Sequence, residues 1–373
     1  MTLRIARFHR EIIVCCAIQQ CEEWAPRFSN VRDETMAGKP PLPAHVLHHL
    51  SPEPIPEEEE VEGGVPVFNR VGGETAVSSS SPKGHSWNEY FDETFFLDVG
   101  GDKFQVFLAG TKGPLVVCFH GGGHSSLSWA HMAKLCKADV RVAAFDCVGH
   151  GGTECKDETD FSKERLVRDG VAVTKKIWER CKEAGGEEPD ILLVGHSMGG
   201  AIASRVAATE EVPRLGGLVV LDVVEGTALE ALGAMRSVVS RFPSRFASLQ
   251  EAIDWTVKSG TVQNRESAMV SVPSQLCQNP DGSWKYRLDL MKTEPFWDGW
   301  FRGLSEVFLA VKVARMLVLA GHDRLDKPLM IAQMQGKFQV ALVPQSGHVI
   351  EEDQPERVAG LLVEFAKRYR LKG

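Results

Sequence analysis

The sequence predicts an α/β fold, a mostly parallel central sheet with helices on both faces, and three features carry that prediction. Short apolar runs alternate with longer helical patterns from about residue 95 to the end of the chain. The run Ile191-Leu192-Leu193-Val194 passes through Gly195-His196-Ser197-Met198-Gly199 into Ala201–Ala208, which has the composition of a helix. A second run, Leu115–Phe119, ends in the glycine-rich turn His120-Gly121-Gly122-Gly123-His124. Apolar strands without polar alternation belong in a sheet covered on both sides, and such sheets bind ligands beyond the carboxyl ends of their strands.

Residues 1–85 read as a disordered amino-terminal tail. Eight of the nineteen prolines fall between Pro40 and Pro82, together with the acidic run Glu57–Glu60 and the polar run Ser78–Ser81. Arg4, Arg7 and Arg10 before Ile12–Ile18 have a slight likeness to a targeting presequence, which the short apolar run and the nearby Glu22 and Glu23 outweigh. Order is expected from Trp87-Asn88-Glu89-Tyr90-Phe91, an aromatic cluster suited to pinning the chain onto a core. Phe95–Val99 and Phe104–Ala109 read as an antiparallel hairpin turned at Gly100-Gly101-Asp102. Leu115–Phe119, Val140–Phe145, Ile191–Val194, Leu218–Val224, Met316–Ala320 and Gln339–Val343 read as buried strands, with helices over Lys163–Ala184 and Pro355–Arg370. The alternation stops between Val224 and Val313, where amphipathic helices with aromatic clusters are expected instead. The organisation so predicted is a core over 86–224 and 313–373, with a helical lid inserted at 225–312.

Composition excludes several function classes. A net charge of −8 over 373 residues argues against nucleic acid as a partner. No segment approaches the ~20 continuous apolar residues of a membrane span, so no membrane association is expected. The nine cysteines are odd in number and show no Cys-x-x-Cys spacing, a pattern of reduced thiols in a cytoplasmic and/or nuclear protein. His120 and His124 are separated by three glycines, which forbids a helical metal-binding face, and the turn lacks the lysine and hydroxyl of a P-loop. Neither metal nor organic cofactor is expected.

Gly-x-Ser-x-Gly between a strand and a helix is the setting in which a hydrolase presents a nucleophilic serine, here Ser197. A serine hydroxyl needs a base in hydrogen-bond reach and an acid to orient that base. In this architecture the chain order is serine, acid, histidine. His348, in Gln345-Ser346-Gly347-His348, follows the last expected strand and is the base this order calls for. Two acids end successive strands, Asp222 and Asp323, and spacing does not choose between them. Asp222 lies within an apolar run, where a carboxylate is costly unless hydrogen-bonded; Asp323 stands beside Arg324 and Lys327 as possible surface partners. An oxyanion hole is expected from the N–H of Met198 and an N–H of the glycine turn, Gly122 first and Gly121 next.

At these residues the chain resembles the protein phosphatase methylesterases, a branch of the α/β-hydrolases. The resemblance rests on His120–Trp129, Gly195–Ile202, Asp222-Val223-Val224-Glu225-Gly226-Thr227-Ala228, Lys292-Thr293-Glu294, Trp297–Leu304, Asp323–Lys327 and Gln333–Gln339, and runs from about Trp87 to Arg370. It implies Asp222 as the acid of the triad. It also implies demethylation of the carboxyl-terminal leucine of the protein phosphatase 2A catalytic subunit, its protein substrate, with Trp300, Arg302 and Lys337 as substrate or partner contacts. The loop Asp146–Thr153 departs from the family pattern, and a long acidic lid insert found in some members is absent around Pro280-Asp281-Gly282. A small-molecule carboxylesterase and a phosphatase-docking inhibitor with secondary hydrolysis are the competing readings. Docking of a folded substrate onto the large lid is expected to complete the triad.

Overall fold

The structure, a computed structural model, describes residues 85–185, 188–321 and 325–373. The expected tail, up to residue 84, and the alternative acid Asp323 lie outside the described residues.

The entrance strands form the predicted hairpin. β1 (Glu93–Val99) pairs antiparallel with β2 (Asp102–Ala109), Val99 opposite Asp102. The tight reversal places Gly100 and Gly101 at φ of 64° and 89°, a region that side chains disfavour. Next come β3 (Leu115–Phe119), α1 (Ala130–Cys136), β4 (Arg141–Phe145), α2 (Lys163–Gly185), β5 (Ile191–His196), α3 (Met198–Ala208) and β6 (Leu215–Leu221). An insertion follows, and the sheet resumes after it.

The insertion contains α4 (Glu225–Val239), α5 (Leu249–Ser259), α6 (Arg265–Ser274), the hairpin β7 (Leu276–Gln278) with β8 (Trp284–Tyr286), α7 (Trp297–Phe301) and α8 (Leu304–Ala310). The core then closes with β9 (Ala314–Leu319), α9 (Lys327–Met334), β10 (Gln339–Leu342), α10 (Ile350–Asp353) and α11 (Pro355–Arg368). Strand order in the main sheet is β1-β2-β4-β3-β5-β6-β9-β10. β2 runs antiparallel to β4, and the six strands from β4 to β10 are parallel.

Period-two alternation assigns each strand residue to one of two cores. Leu115, Val117 and Phe119 of β3 join Ile191 and Leu193 of β5 on the face covered by α2, α3 and α8. Val116 and Cys118 join Leu192 and Val194 on the face covered by α1 and α11. Because both faces are dry, these strands read as unbroken apolar runs. The six described cysteines are all free thiols.

Two differences from the sequence reading have physical causes. β6 ends at Leu221 rather than Val224, since Asp222 turns to φ 47° and its N–H bonds to Val318 O of β9 at 2.8 Å. The insertion is not helical throughout, and it packs as two parts. Its first part has a core of its own, with Phe246, Ile253, Val262 and Leu276 buried against Trp255 and Tyr286. From Trp297 onward it belongs to the main core instead, where Trp297, Trp300, Phe301, Leu304 and Phe308 are buried and α8 lies on α3. Glu225 fastens this second part, its carboxylate accepting the N–H groups of Gly303 (2.8 Å) and Ser305 (3.0 Å) at the start of α8.

Close approach of backbones sets the tolerance of the elbow between β5 and α3. A Cβ on Gly199 would lie 2.2 Å from Phe119 O, and one on Gly195 2.3 Å from Gly199 O, contacts that only main-chain movement could relieve. Gly360, in the exposed middle of α11, has nothing within 4 Å of its missing Cβ. Gly199→Ala is therefore expected to destabilise by about 1–3 kcal/mol through overpacking. Gly360→Ala should stabilise by about 0.5–1 kcal/mol by lowering the backbone entropy lost on folding. Thermal or urea denaturation of the two variants beside the parent checks both signs.

Candidate active site

Ser197 occupies the turn between β5 and α3 at φ 51° and ψ −120°, half-buried. Such a conformation costs about 1–3 kcal/mol in a residue with a Cβ, and persists only where its surroundings hold it. Here the Ser197 N–H bonds to Leu221 O at 3.0 Å, and its carbonyl accepts the Ala201 N–H at 3.1 Å. The side chain is thereby pushed clear of the sheet, at the carboxyl end of β5.

Two further strand ends deliver the groups that meet it. His348 lies in the loop after β10, its Nε2 3.0 Å from Ser197 Oγ and its Nδ1 2.8 Å from Asp222 Oδ2. Asp222, 3% exposed, follows β6, and its Oδ1 accepts the Ala320 N–H at 3.1 Å. A carboxylate at Nδ1 places the imidazole proton on that nitrogen and leaves Nε2 free to accept from the serine hydroxyl, a tautomer assigned from partners. The three side chains are already in contact in the isolated chain, so the expected need for a docking partner to assemble them does not arise from this geometry.

The loop carrying His348 is itself tied down. The Asp353 carboxylate accepts the N–H groups of Gly347 at 2.6 Å and of Gln263, in the insertion, at 2.7 Å. Burial pushes the Asp353 carboxyl up to about 6, against the pull of these donors. Gln345 turns the loop with φ 63°.

The glycine turn after β3 is pinned by two buried imidazoles. His120 Nε2 accepts the Cys147 N–H at 3.0 Å, which leaves Nδ1–H to donate to Gly121 O at 2.8 Å. His150 Nε2 accepts the Gly123 N–H at 3.0 Å, and its Nδ1–H donates to Val148 O at 2.8 Å. Burial drives both rings down to about 3, so both stay neutral and keep these tautomers. Asp146, also buried, clamps the same loop, accepting from Ser126 N and Oγ (2.7 Å each) and from Gly152 N (2.9 Å).

Gly121 and Gly122 occupy different places in this turn. A Cβ on Gly121 would fall 2.7 Å from His196 Nδ1, so that residue is packed on the imidazole. Gly122 lies beside Met198, 3.9 Å separating its missing Cβ from the Met198 Cβ. Met198 begins α3, where the first N–H groups have no partner within the helix and the dipole is positive. An anion between Gly122 and Met198 would therefore meet favourable charge.

The residues expected as partner contacts are dispersed. Trp300 is buried, its Nε1–H donating to Phe161 O at 2.7 Å while its ring would lie 3.9 Å from a Cβ on Gly122; it supports the turn from within and offers almost no surface. Arg302 is exposed and paired with Asp298 at 2.5 Å, and its carbonyl accepts from Arg205 at 2.8 Å. Arg205 lies eight residues along α3 from Ser197, about 12 Å at the helical rise. Lys337 is exposed just before β10 and so stands at the amino ends of the parallel strands, the opposite edge from Ser197.

Sequence reasoning missed His150, Asp146, His196 and the pair Glu351 and Glu352. The loop Asp146–Thr153 follows the carboxyl end of β4, the neighbour of β3, and that adjacency was the available signal. The insertion meets the glycine turn at a cleft lined by Gly122, Gly123 and His150 on one side and Phe242, Gln275 and Arg287 on the other. Ser197 and His348 do not line that cleft.

The chain is similar to several known proteins. Residues 116–361 match the model of the alpha/beta hydrolase family. The chain is 43% identical to the "Probable protein phosphatase methylesterase 1" of Caenorhabditis elegans, the alignment covering 76% of this chain and 78% of that one. It is 40% identical to protein phosphatase methylesterase 1 of Homo sapiens and 41% to that of Schizosaccharomyces pombe, over 76% of this chain and 84% of each. Among solved structures, E-2-(acetamidomethylene)succinate hydrolase superposes with a TM-score of 0.61 at 19% identity, over 74% of this chain and 99% of that one, a likeness of fold. No helix among the described residues is long and apolar enough to cross a membrane. The chain thus belongs to the protein phosphatase methylesterase family of α/β hydrolases, serine-type carboxylic ester hydrolases.

Proposed function

We propose that this chain removes the methyl ester from the carboxyl-terminal leucine of the protein phosphatase 2A catalytic subunit, with Ser197 as nucleophile, His348 as general base and acid, and Asp222 as the orienting acid. The observation that carries the reading is the pair of contacts at His348, 3.0 Å to Ser197 Oγ and 2.8 Å to Asp222 Oδ2, in a member of this family. Ser197 Oγ adds to the ester carbonyl carbon as its proton passes to His348 Nε2. Asp222, buried and hydrogen-bonded on both oxygens, steadies the imidazolium that results. Negative charge on the carbonyl oxygen is met by the N–H groups of Met198 and Gly122. On collapse the C–O bond to the methoxy group breaks and His348 returns its proton, releasing methanol. Water then enters by the same route, His348 taking its proton, and the free carboxylate leaves with the Ser197 hydroxyl restored.

Methanol release from carboxymethylated phosphatase catalytic subunit tests this reading. Ser197→Ala should lower the rate by several orders of magnitude, as loss of a covalent nucleophile does; near-parental release would overturn the mechanism. Asp222→Asn should keep the fold and lower kcat by about 10⁴, the cost of the wrong imidazole tautomer. A comparison of substrates addresses specificity: the methylated phosphatase should be turned over with a higher kcat/KM than short p-nitrophenyl esters, and the reverse order would assign a small-molecule esterase.

A further inference from the structure

Behind the Ser197–His348–Asp222 constellation lies a second, completely buried group of acids and imidazoles that the proposed mechanism does not use. His196, the last residue of β5, is 0% exposed, and so are Glu351 and Glu352 of α10. His196 Nε2–H donates to the main-chain carbonyl of His348 at 2.8 Å, and the two rings lie 4.7 Å apart. With Nε2 committed as donor, Nδ1 of the neutral ring is an acceptor. Glu351 Oε1 lies 3.0 Å from it, obliquely aligned. Among the described residues, neither Nδ1 nor either oxygen of Glu351 has another hydrogen-bond partner. Two buried orphan groups at hydrogen-bond distance are each other's available partner, and an acceptor nitrogen requires a proton on the acid.

We propose that Glu351, protonated, and His196 form a positioning pair that holds His348 through its main-chain carbonyl, and that ionisation of Glu351 releases this hold. The proton on Glu351 keeps His196 in the tautomer with Nε2–H, and that N–H fixes the His348 carbonyl. When Glu351 loses its proton to solvent, its carboxylate requires a donor. The imidazole proton then moves from Nε2 to Nδ1, and Nε2 becomes a lone pair facing the His348 oxygen, so attraction is replaced by repulsion. A shift of His348 of even 1 Å from its geometry toward Ser197 is worth about 10²-fold in rate.

The electrostatic surroundings agree. Burial pushes the Glu351 carboxyl up to about 8, reinforced by the adjacent Glu352, and drives His196 down to about 4. The groups facing the pair are Glu352 on the same helix, His124 after β3, His348, and Asp222 after β6. Glu352 is engaged on one oxygen, Oε2 accepting the Ser271 hydroxyl at 2.5 Å, while its Oε1 lies 3.5 Å from His124 Nδ1 with no hydrogen-bond partner among the described residues. Glu351, with no donor on either oxygen among the described residues, is therefore the acid that retains its proton at neutral pH.

The inference rests on Ser197 and His348 being the reacting pair, and its test separates the two claims. Turnover of carboxymethylated phosphatase is measured from pH 6 to 9.5 for the parent, Glu351→Leu and Glu351→Gln, with Ser197→Ala as reference, all on the full chain. Glu351→Leu, which leaves the His196 tautomer unfixed, should lower kcat by about ten- to a hundredfold with KM little changed. Glu351→Gln supplies an N–H that cannot ionise. It should recover most of that loss and abolish an alkaline fall in kcat that the parent shows with a midpoint near pH 8. Should Glu351→Leu fail to fold, the Glu351→Gln profile decides alone: an alkaline limb identical to the parent's overturns the proposal. Infrared difference spectra of parent against Glu351→Gln at pH 7 supply a readout independent of activity, since a protonated carboxyl has a carbonyl stretch that a carboxylate lacks. Its absence also overturns the proposal. Failure of the underlying reading would show separately, as unchanged turnover in Ser197→Ala.

Discussion

The left-handed turn at Ser197 is the constraint on which the rest of the molecule depends. It exists because β5 and α3 are forced together at a point where neither Gly195 nor Gly199 leaves room for a side chain, and because Leu221 and Ala201 take up the main-chain groups of the serine. Every other part of the site is positioned relative to that bend. β3 lies on one side of β5 and supplies the glycine turn, while β6 lies on the other and supplies Asp222. The strand order, not proximity in sequence, thus sets the site: His348 stands 151 residues from Ser197 and 3.0 Å from it.

Around this bend the structure uses neutral histidines as building material. His120 and His150 each accept one backbone N–H and donate to one carbonyl, which is possible because burial holds them far below the pH at which they would charge. An imidazole in this state does the work of a peptide group, with a donor and an acceptor at fixed separation. The glycine turn is thereby stiffened without a regular element beneath it. Preorganisation of this kind is what an oxyanion site requires, since donors that must reorient during reaction lose much of their value.

Much of this was legible in the sequence, for a stated reason. Strands buried on both faces have no choice but to be apolar, so β3, β4, β5 and most of β9 stand out as short runs, whereas β10, expected as buried, is a half-buried edge strand; the Gly-x-Ser-x-Gly turn stands out because its glycines are needed for backbone contact. The carboxyl end of β6 was misread by three residues because Val223 and Val224 remain apolar after the chain has left the sheet; Asp222 turns it away. The hairpin β7–β8 was missed because three-residue strands carry almost no periodic signal. Trp300 was expected to contact the substrate or partner, and Glu351 drew no reading, because burial of a single side chain depends on elements far away in the chain. The position of Lys337 was not legible for the same reason: only the strand direction of β10 reveals which edge of the sheet it occupies.

Asp353 joins two parts of the molecule that the chain keeps apart, since one carboxylate grips both Gly347, next to His348, and Gln263, within the inserted segment. The inserted segment and the loop carrying His348 accordingly share an anchor. A carboxylate that loses the Gln263 donor keeps only the Gly347 donor, so whatever disturbs the inserted segment at Gln263 is felt one residue from the imidazole. Two stretches about ninety residues apart in the chain are in this way held by one side chain.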